Sequence, residues 1–119
     1  MRLLLCAGSA ALLMVSLVPA RSDPLTPTQI KTTFFNGEAF TAGTPQGIKY
    51  KMVFTPEGKV SREPVGKAGV KGDGTWKVSK DGFCTQWKDS KANCYRLISI
   101  DDKWQVMQGT RAIATWTKP

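Results

Sequence analysis

The clearest pattern in the chain is an alternation of period two that begins at Ile48. Ile48, Tyr50, Met52 and Phe54 alternate with Lys49, Lys51, Val53 and Thr55, which predicts a strand with one apolar and one mostly polar face. Pro56-Glu57-Gly58 is a turn, and Lys59 to Glu63 returns as the second arm of a hairpin. Pro64 to Asp73 carries Gly66, Gly69 and Gly72 among lysines and reads as a mobile loop. Alternation resumes over Gly74 to Ser79, with Trp76 and Val78 on one face, and over Phe83 to Lys88, with Phe83, Thr85 and Trp87 on one face. Between them Lys80-Asp81-Gly82 supplies the Asp-Gly hairpin signal. Asp89 to Asn93 turns the chain, and Cys94 to Ile100, Trp104 to Gln108 and Ala112 to Thr117 bring the expected strands to seven. Each connection is too short for a crossover helix, so neighbours pair antiparallel. The expected fold class is therefore mainly β: an antiparallel meander forming a small barrel or a two-sheet sandwich.

Upstream of Ile48 the period is different. Thr26-Pro27-Thr28 opens a helix, with Thr26 able to cap and Pro27 suited to the first helical position. The helix runs to about Phe35 and stops at Asn36-Gly37. Ile30 and Phe34 lie four apart and share the face that docks on the core. Gly37 to Gly47 reads as a loop, with room for a short strand around Phe40. The expected core is Tyr50, Met52 and Phe54 with the four tryptophans Trp76, Trp87, Trp104 and Trp116, each large enough to bury on the order of 150–250 Å².

The first twenty residues belong to neither pattern. Arg2 precedes a charge-free apolar run from Leu3 to Val18, too short for a comfortable membrane span of about 20 residues. Val18-Pro19-Ala20 places small residues where signal peptidase reads them. Residues 1–20 are thus expected to be a signal peptide, with cleavage after Ala20 or Ser22, and Cys6 lies too early for a lipoprotein site. Residues 21–47 then form a lead-in, short helix and loop, and 48–119 the antiparallel β region, all within the single domain 21–119. The expected location is exported: periplasmic or extracellular.

Export changes the reading of the cysteines. Cys84 and Cys94 alone remain after cleavage, and in an oxidising compartment a pair is expected to be bridged. If the turn centres on Asp89, the two face each other across a hairpin. A zinc site would want four ligands in tight pairs, and a redox pair would prefer Cys-x-x-Cys.

Several motifs now form an ordered series: Phe54-Thr55-Pro56-Glu57-Gly58, Gly74-Thr75-Trp76, Asp81-Gly82-Phe83-Cys84 and Cys94-Tyr95. Over roughly residues 48–100 the chain resembles a group of small secreted proteobacterial proteins. These share an aromatic-x-Pro-acid-Gly turn, a Gly-x-Trp strand and a cysteine pair followed by an aromatic. The resemblance implies an exported β fold and no particular chemistry. Gly-x-Trp is also similar to the lipocalin pattern, but there it stands in the first strand, and here it is mid-chain.

Composition narrows function mainly by exclusion. The 119-residue chain has no histidine, which removes the commonest general acid–base, the commonest metal ligand and every histidine-dependent triad. At least five of its nine carboxylates fall in expected turns, where Asp and Glu have local backbone roles. No catalytic residue, metal or cofactor is expected, and Asp101-Asp102 reads as a turn rather than a calcium site. The chain carries 17 basic against nine acidic residues, a net charge of +8. Loss of residues 1–20 leaves 99 residues at +7, because only Arg2 goes with them. Lys49 and Lys51 share the outer face of one strand, and the returning strand brings Lys59 or Arg62 near them. These four form the expected anion-binding patch. Its partners would be anionic lipid, lipopolysaccharide or acidic polysaccharide, with an envelope protein as a further possibility. Nucleic acid is a less available partner outside the cell. The competing functions are a small barrel carrying an apolar ligand and an inhibitor of an exported enzyme.

Overall fold

Thr26 caps the helix as its sequence demands. Its hydroxyl accepts from the Gln29 amide N–H and its own N–H donates to the Gln29 side chain, at 3.2 and 2.8 Å, a complete capping box. Helix α1 spans Pro27–Phe34, and Gly37 follows with φ +89°, a value that glycine accepts without a steric cost. The computed structural model describes residues 23–119. The expected signal peptide 1–20, its cleavage points after Ala20 or Ser22, and Cys6 lie outside the described residues.

Eight strands follow among the described residues: β1 (Phe40–Gly43), β2 (Lys49–Phe54), β3 (Lys59–Pro64), β4 (Gly72–Val78), β5 (Phe83–Trp87), β6 (Ala92–Ile100), β7 (Lys103–Gln108) and β8 (Arg111–Thr117). They form one closed antiparallel barrel in chain order, not a sandwich. The short strand expected around Phe40, within the loop from Gly37 to Gly47, is present as β1 and closes the barrel. β1 pairs Phe40 with Met52 on one side and Ala42 with Trp116 on the other. Two inward positions, Phe40 and Ala42, are too few to raise a periodic signal, yet without them β2 and β8 would both be open edges. The lead-in also works as strand: Pro24 bridges Ile98 and Leu25 N–H donates to Leu97 O at 2.8 Å. It takes the stretch of the β6 edge that β5 leaves free.

The lumen holds the core. Phe40, Ala42, Met52, Phe54, Val60, Phe83, Leu97, Val106 and Trp116 are all buried, and all occupy alternating inward positions of their strands. Helix α1 closes one end. Ile30 and Phe34 are buried as expected, and Phe35, just past the helix, is buried too. Phe34 packs edge-on to Phe40, Trp104 and Trp116 at 4.9–5.0 Å. Phe35 stacks on Phe54 at 4.2 Å and touches Trp76 at 4.4 Å. Lys118 ties this plug down, donating to Thr33 O at 2.7 Å, the favourable place for a cation near a helix C-terminus.

The expected core is correct in face and partly wrong in depth. Met52, Phe54 and Trp116 are buried, whereas Tyr50, Trp76, Trp87 and Trp104 are half-buried and pack against the core from its ends. Indole and phenol groups have a polar tip that favours such positions. Trp76 uses its tip, donating Nε1–H to Thr55 O at 2.8 Å.

Candidate functional site

Cys84 and Cys94 are directly opposed across β5 and β6, with Cα atoms 3.9 Å apart, and they form a disulfide. The turn between them centres on Asp89, whose φ of 64° and the Ser90 N–H to Trp87 O bond of 2.9 Å make it tight. The bridge lies on the outer face, because Phe83 and Thr85 on either side point into the barrel. It joins strands and belongs to no site.

Of the four residues of the expected basic patch, Lys49 and Lys51 share the outer face of β2 as expected, and Lys59 and Arg62 stand apart from them. Lys49, Lys51 and Lys59 are exposed on the outer wall. Lys51 lies 3.9 Å from Glu63, its register partner on β3, and an ion pair this exposed contributes little. Lys59 stands at the helix end of β3, far along the strand from Lys49. Arg62 is on the other face altogether, because it pairs with Met52 and not with Lys51. Its guanidinium sits 5.1 Å from the Tyr50 ring and 4.6 Å from the Trp87 ring, a cation held between two aromatic faces. Its Nε–H donates to Val70 O at 3.1 Å. Gly72 leaves the room it needs, since a Cβ there would stand 3.2 Å from Arg62 Nε.

A different basic cluster emerges from the topology. In a meander barrel alternate loops gather at one end. The β1–β2, β3–β4, β5–β6 and β7–β8 loops, with the strand residue on each side, surround the mouth opposite α1. They bring together Lys49, Lys67, Lys71, Lys88, Lys91 and Arg111 against the single carboxylate Asp89, an excess of five positive charges. The helix end, bounded the same way and including residues 23–39 and 118–119, carries Lys31, Lys59, Lys80, Lys103 and Lys118. Against these stand Asp23, Glu38, Glu57, Asp81, Asp101 and Asp102, a net charge of −1. The barrel is thus a dipole of charge, positive at its loop-bearing mouth. All six mouth cations are exposed. Of the six, only Lys49 belonged to the expected patch. The others come from loops far apart in sequence, and only the strand count brings them to one end.

Two valines share this mouth. Val65 and Val70, at the two ends of the β3–β4 loop, are 64% and 67% exposed. The loop is tethered at both ends: Val65 N–H donates to Lys49 O at 2.9 Å, and Val70 N–H reaches the Tyr50 hydroxyl at 3.4 Å. A hollow of about 480 Å³ lies beside the mouth, between the β1–β2 loop and β8, lined by Thr44, Pro45, Gln46, Arg111, Ala112 and Ile113.

Among the described residues no group of three or more Cys, Asp and Glu is placed to hold a metal ion, and no helix is long and apolar enough to cross a membrane. Apart from Arg62 at the mouth, which pairs with the inward Met52, the lumen is lined mainly by apolar side chains and the charges stand outside, the reverse of the polarity of a lipid-embedded barrel. Neither a protein-family model nor a curated protein nor a solved structure matches the chain.

Proposed function

We propose that this protein is an exported, non-catalytic β-barrel that binds anionic partners through the mouth opposite its helix. The observation that carries the reading is the segregation of charge, +5 at the mouth against −1 at the helix end. Charge gathered on one face attracts phosphate- and carboxylate-bearing surfaces and orients the approach to them. Anionic lipid, lipopolysaccharide and acidic polysaccharide all present that chemistry. The disulfide and the apolar leader Leu3 to Val18 agree with an exported life. Carriage of an apolar ligand is disfavoured, because the chain's own Phe34, Phe35, Phe40 and Phe54 fill the helix end of the lumen.

The test is binding to immobilised lipopolysaccharide and to an acidic polysaccharide over a salt series. Binding should weaken steeply as salt rises, since the Debye length falls to about 8 Å at physiological ionic strength. Lys67→Gln, Lys71→Gln, Lys88→Gln and Lys91→Gln together should abolish it, and Lys31→Gln, Lys80→Gln and Lys103→Gln together should leave it intact. Equal loss from both sets, or no salt-sensitive binding at all, would refute the reading.

A further inference from the structure

We propose that the β3–β4 loop is a membrane-docking element that inserts Val65 and Val70 into the interfacial region of a bilayer bearing anionic phospholipid. The inference rests on the anion-binding reading above and names its partner.

The loop combines tethered ends with apolar exposure. Its backbone is held at both valines, by Lys49 O at one end and by the Tyr50 hydroxyl and Arg62 Nε at the other. Gly69, with φ +98°, lies against Tyr50 and Ile48, where a Cβ would come within 2.8 Å of the phenol oxygen. The valine side chains stand out in water, each about two-thirds exposed. Apolar side chains presented by a tethered backbone lose less ordering entropy on entering an apolar medium than those of a free loop.

The charge around the tip selects the medium. Lys67 and Lys71 belong to the same loop, and the rest of the mouth is positive. Apolar side chains flanked by cations suit the boundary between acyl chains and anionic headgroups, where burial and surface potential act together. A protein partner fits less well. Two valines are a small fraction of the about 800 Å² per side that a stable protein interface buries, whereas a bilayer needs only a tip and a charge.

Vesicles of phosphatidylcholine with and without phosphatidylglycerol distinguish the outcomes, using the processed chain in co-sedimentation. The wild type should bind the anionic vesicles and not the neutral ones. Val65→Ser with Val70→Ser should weaken vesicle partitioning about tenfold while leaving binding to soluble acidic polysaccharide unchanged. Lys67→Gln with Lys71→Gln should weaken both. A Val70→Cys variant carrying an environment-sensitive fluorophore, its thiol the only free one in a chain lacking residues 1–20 once Cys84 and Cys94 are bridged, should shift to the blue on anionic vesicles. Vesicle binding that is indifferent to the serine pair, or no blue shift, overturns insertion and leaves the basic mouth standing. Loss of salt-sensitive binding to vesicle and polysaccharide alike would bring down the anion-binding reading itself.

Discussion

Replacing Phe35 by alanine tests whether the barrel is a plugged, filled core. Phe35 is 3% exposed. Its ring stacks on Phe54 at 4.2 Å and 6°, and meets Trp76 at 4.4 Å and Phe83 at 5.4 Å. It caps α1 from outside the helix, so the substitution barely touches helix propensity and its cost is almost entirely one of packing. Deletion of an enclosed phenyl ring costs about 3–5 kcal/mol, transfer and cavity together. A domain of roughly 97 residues has an unfolding entropy near 0.2 kcal/mol/K, from about 2.1 cal/mol/K per residue. A loss of about 4 kcal/mol then lowers the melting temperature by about 20 °C. Total stabilities of about 5–15 kcal/mol leave the variant folded but marginal. Urea and thermal melts followed by tryptophan fluorescence measure both quantities, with the exposed Lys31→Ala as a control expected within about 0.5 kcal/mol. A cost for Phe35→Ala below about 1 kcal/mol would show that the ring is not enclosed and that the lumen has room to spare. The case against ligand carriage would then fall with it.

Three further outcomes are expected. Cys84→Ser with Cys94→Ser should cost about 3 kcal/mol by the chain-entropy estimate for an 11-residue loop, about 15 °C in a reversible melt; denatured, unreduced wild type should show no free thiol in the processed chain. Gly82→Ala should be among the most damaging single-methyl changes, above about 3 kcal/mol in urea melts, because its Cβ would meet the Tyr95 carbonyl oxygen and lie 3.1 Å from Arg96 Cα. Intact mass of the exported protein should correspond to a chain starting at Arg21 or Asp23, and retention of Met1 to Ala20 would rule export processing out.

What the sequence makes legible is whatever depends on alternation or on turn length. β2, β4 and β5 follow from period-two runs, the other later strands from the turns that bound them and from residue type, and the disulfide from a turn centred on Asp89. Phe35 was illegible in its role. The helical spacing marks Ile30 and Phe34, and a third aromatic just beyond the helix has no period to belong to; the C-cap conformation, φ −101° and ψ 49°, delivers it into the lumen. Arg62 was legible in principle. Thr55 and Lys59 close the β2–β3 turn, with Thr55 N–H to Lys59 O at 2.8 Å, and that register sets Arg62 opposite Met52 on the inner face. A one-residue error in such a register moves a side chain through the wall. Gly82 carries an Asp-Gly turn signature, but Ser79 and Gly82 exchange hydrogen bonds around Lys80 and Asp81. The glycine is required by the β6 backbone passing beside it, a tertiary contact that no local pattern encodes.

On the proposed reading, the basic mouth is the feature that separates function from mere solubility. Solubility is served by net charge wherever it lies, and an even spread would also minimise repulsion between like charges. The distribution here is uneven in the costly direction. On the wall, Lys51 has Glu63 as a neighbour, and at the helix end Lys118 has Glu38 at 4.0 Å. The mouth has one carboxylate, Asp89, and the backbone accounts for it: φ is 64° there, a conformation that aspartate tolerates better than most side chains. Asp101 in the β6–β7 turn has φ 56° for the same reason, yet there Asp102, Asp81 and Glu57 accompany it. Acidic residues are therefore admitted freely at one end of the barrel and at the other only where turn geometry asks for one. The plug and its aromatic packing supply stability at the helix end, so the opposite loops can hold unbalanced cations and two exposed valines without unmaking the fold. Both are features that the proposed docking on an anionic surface would use.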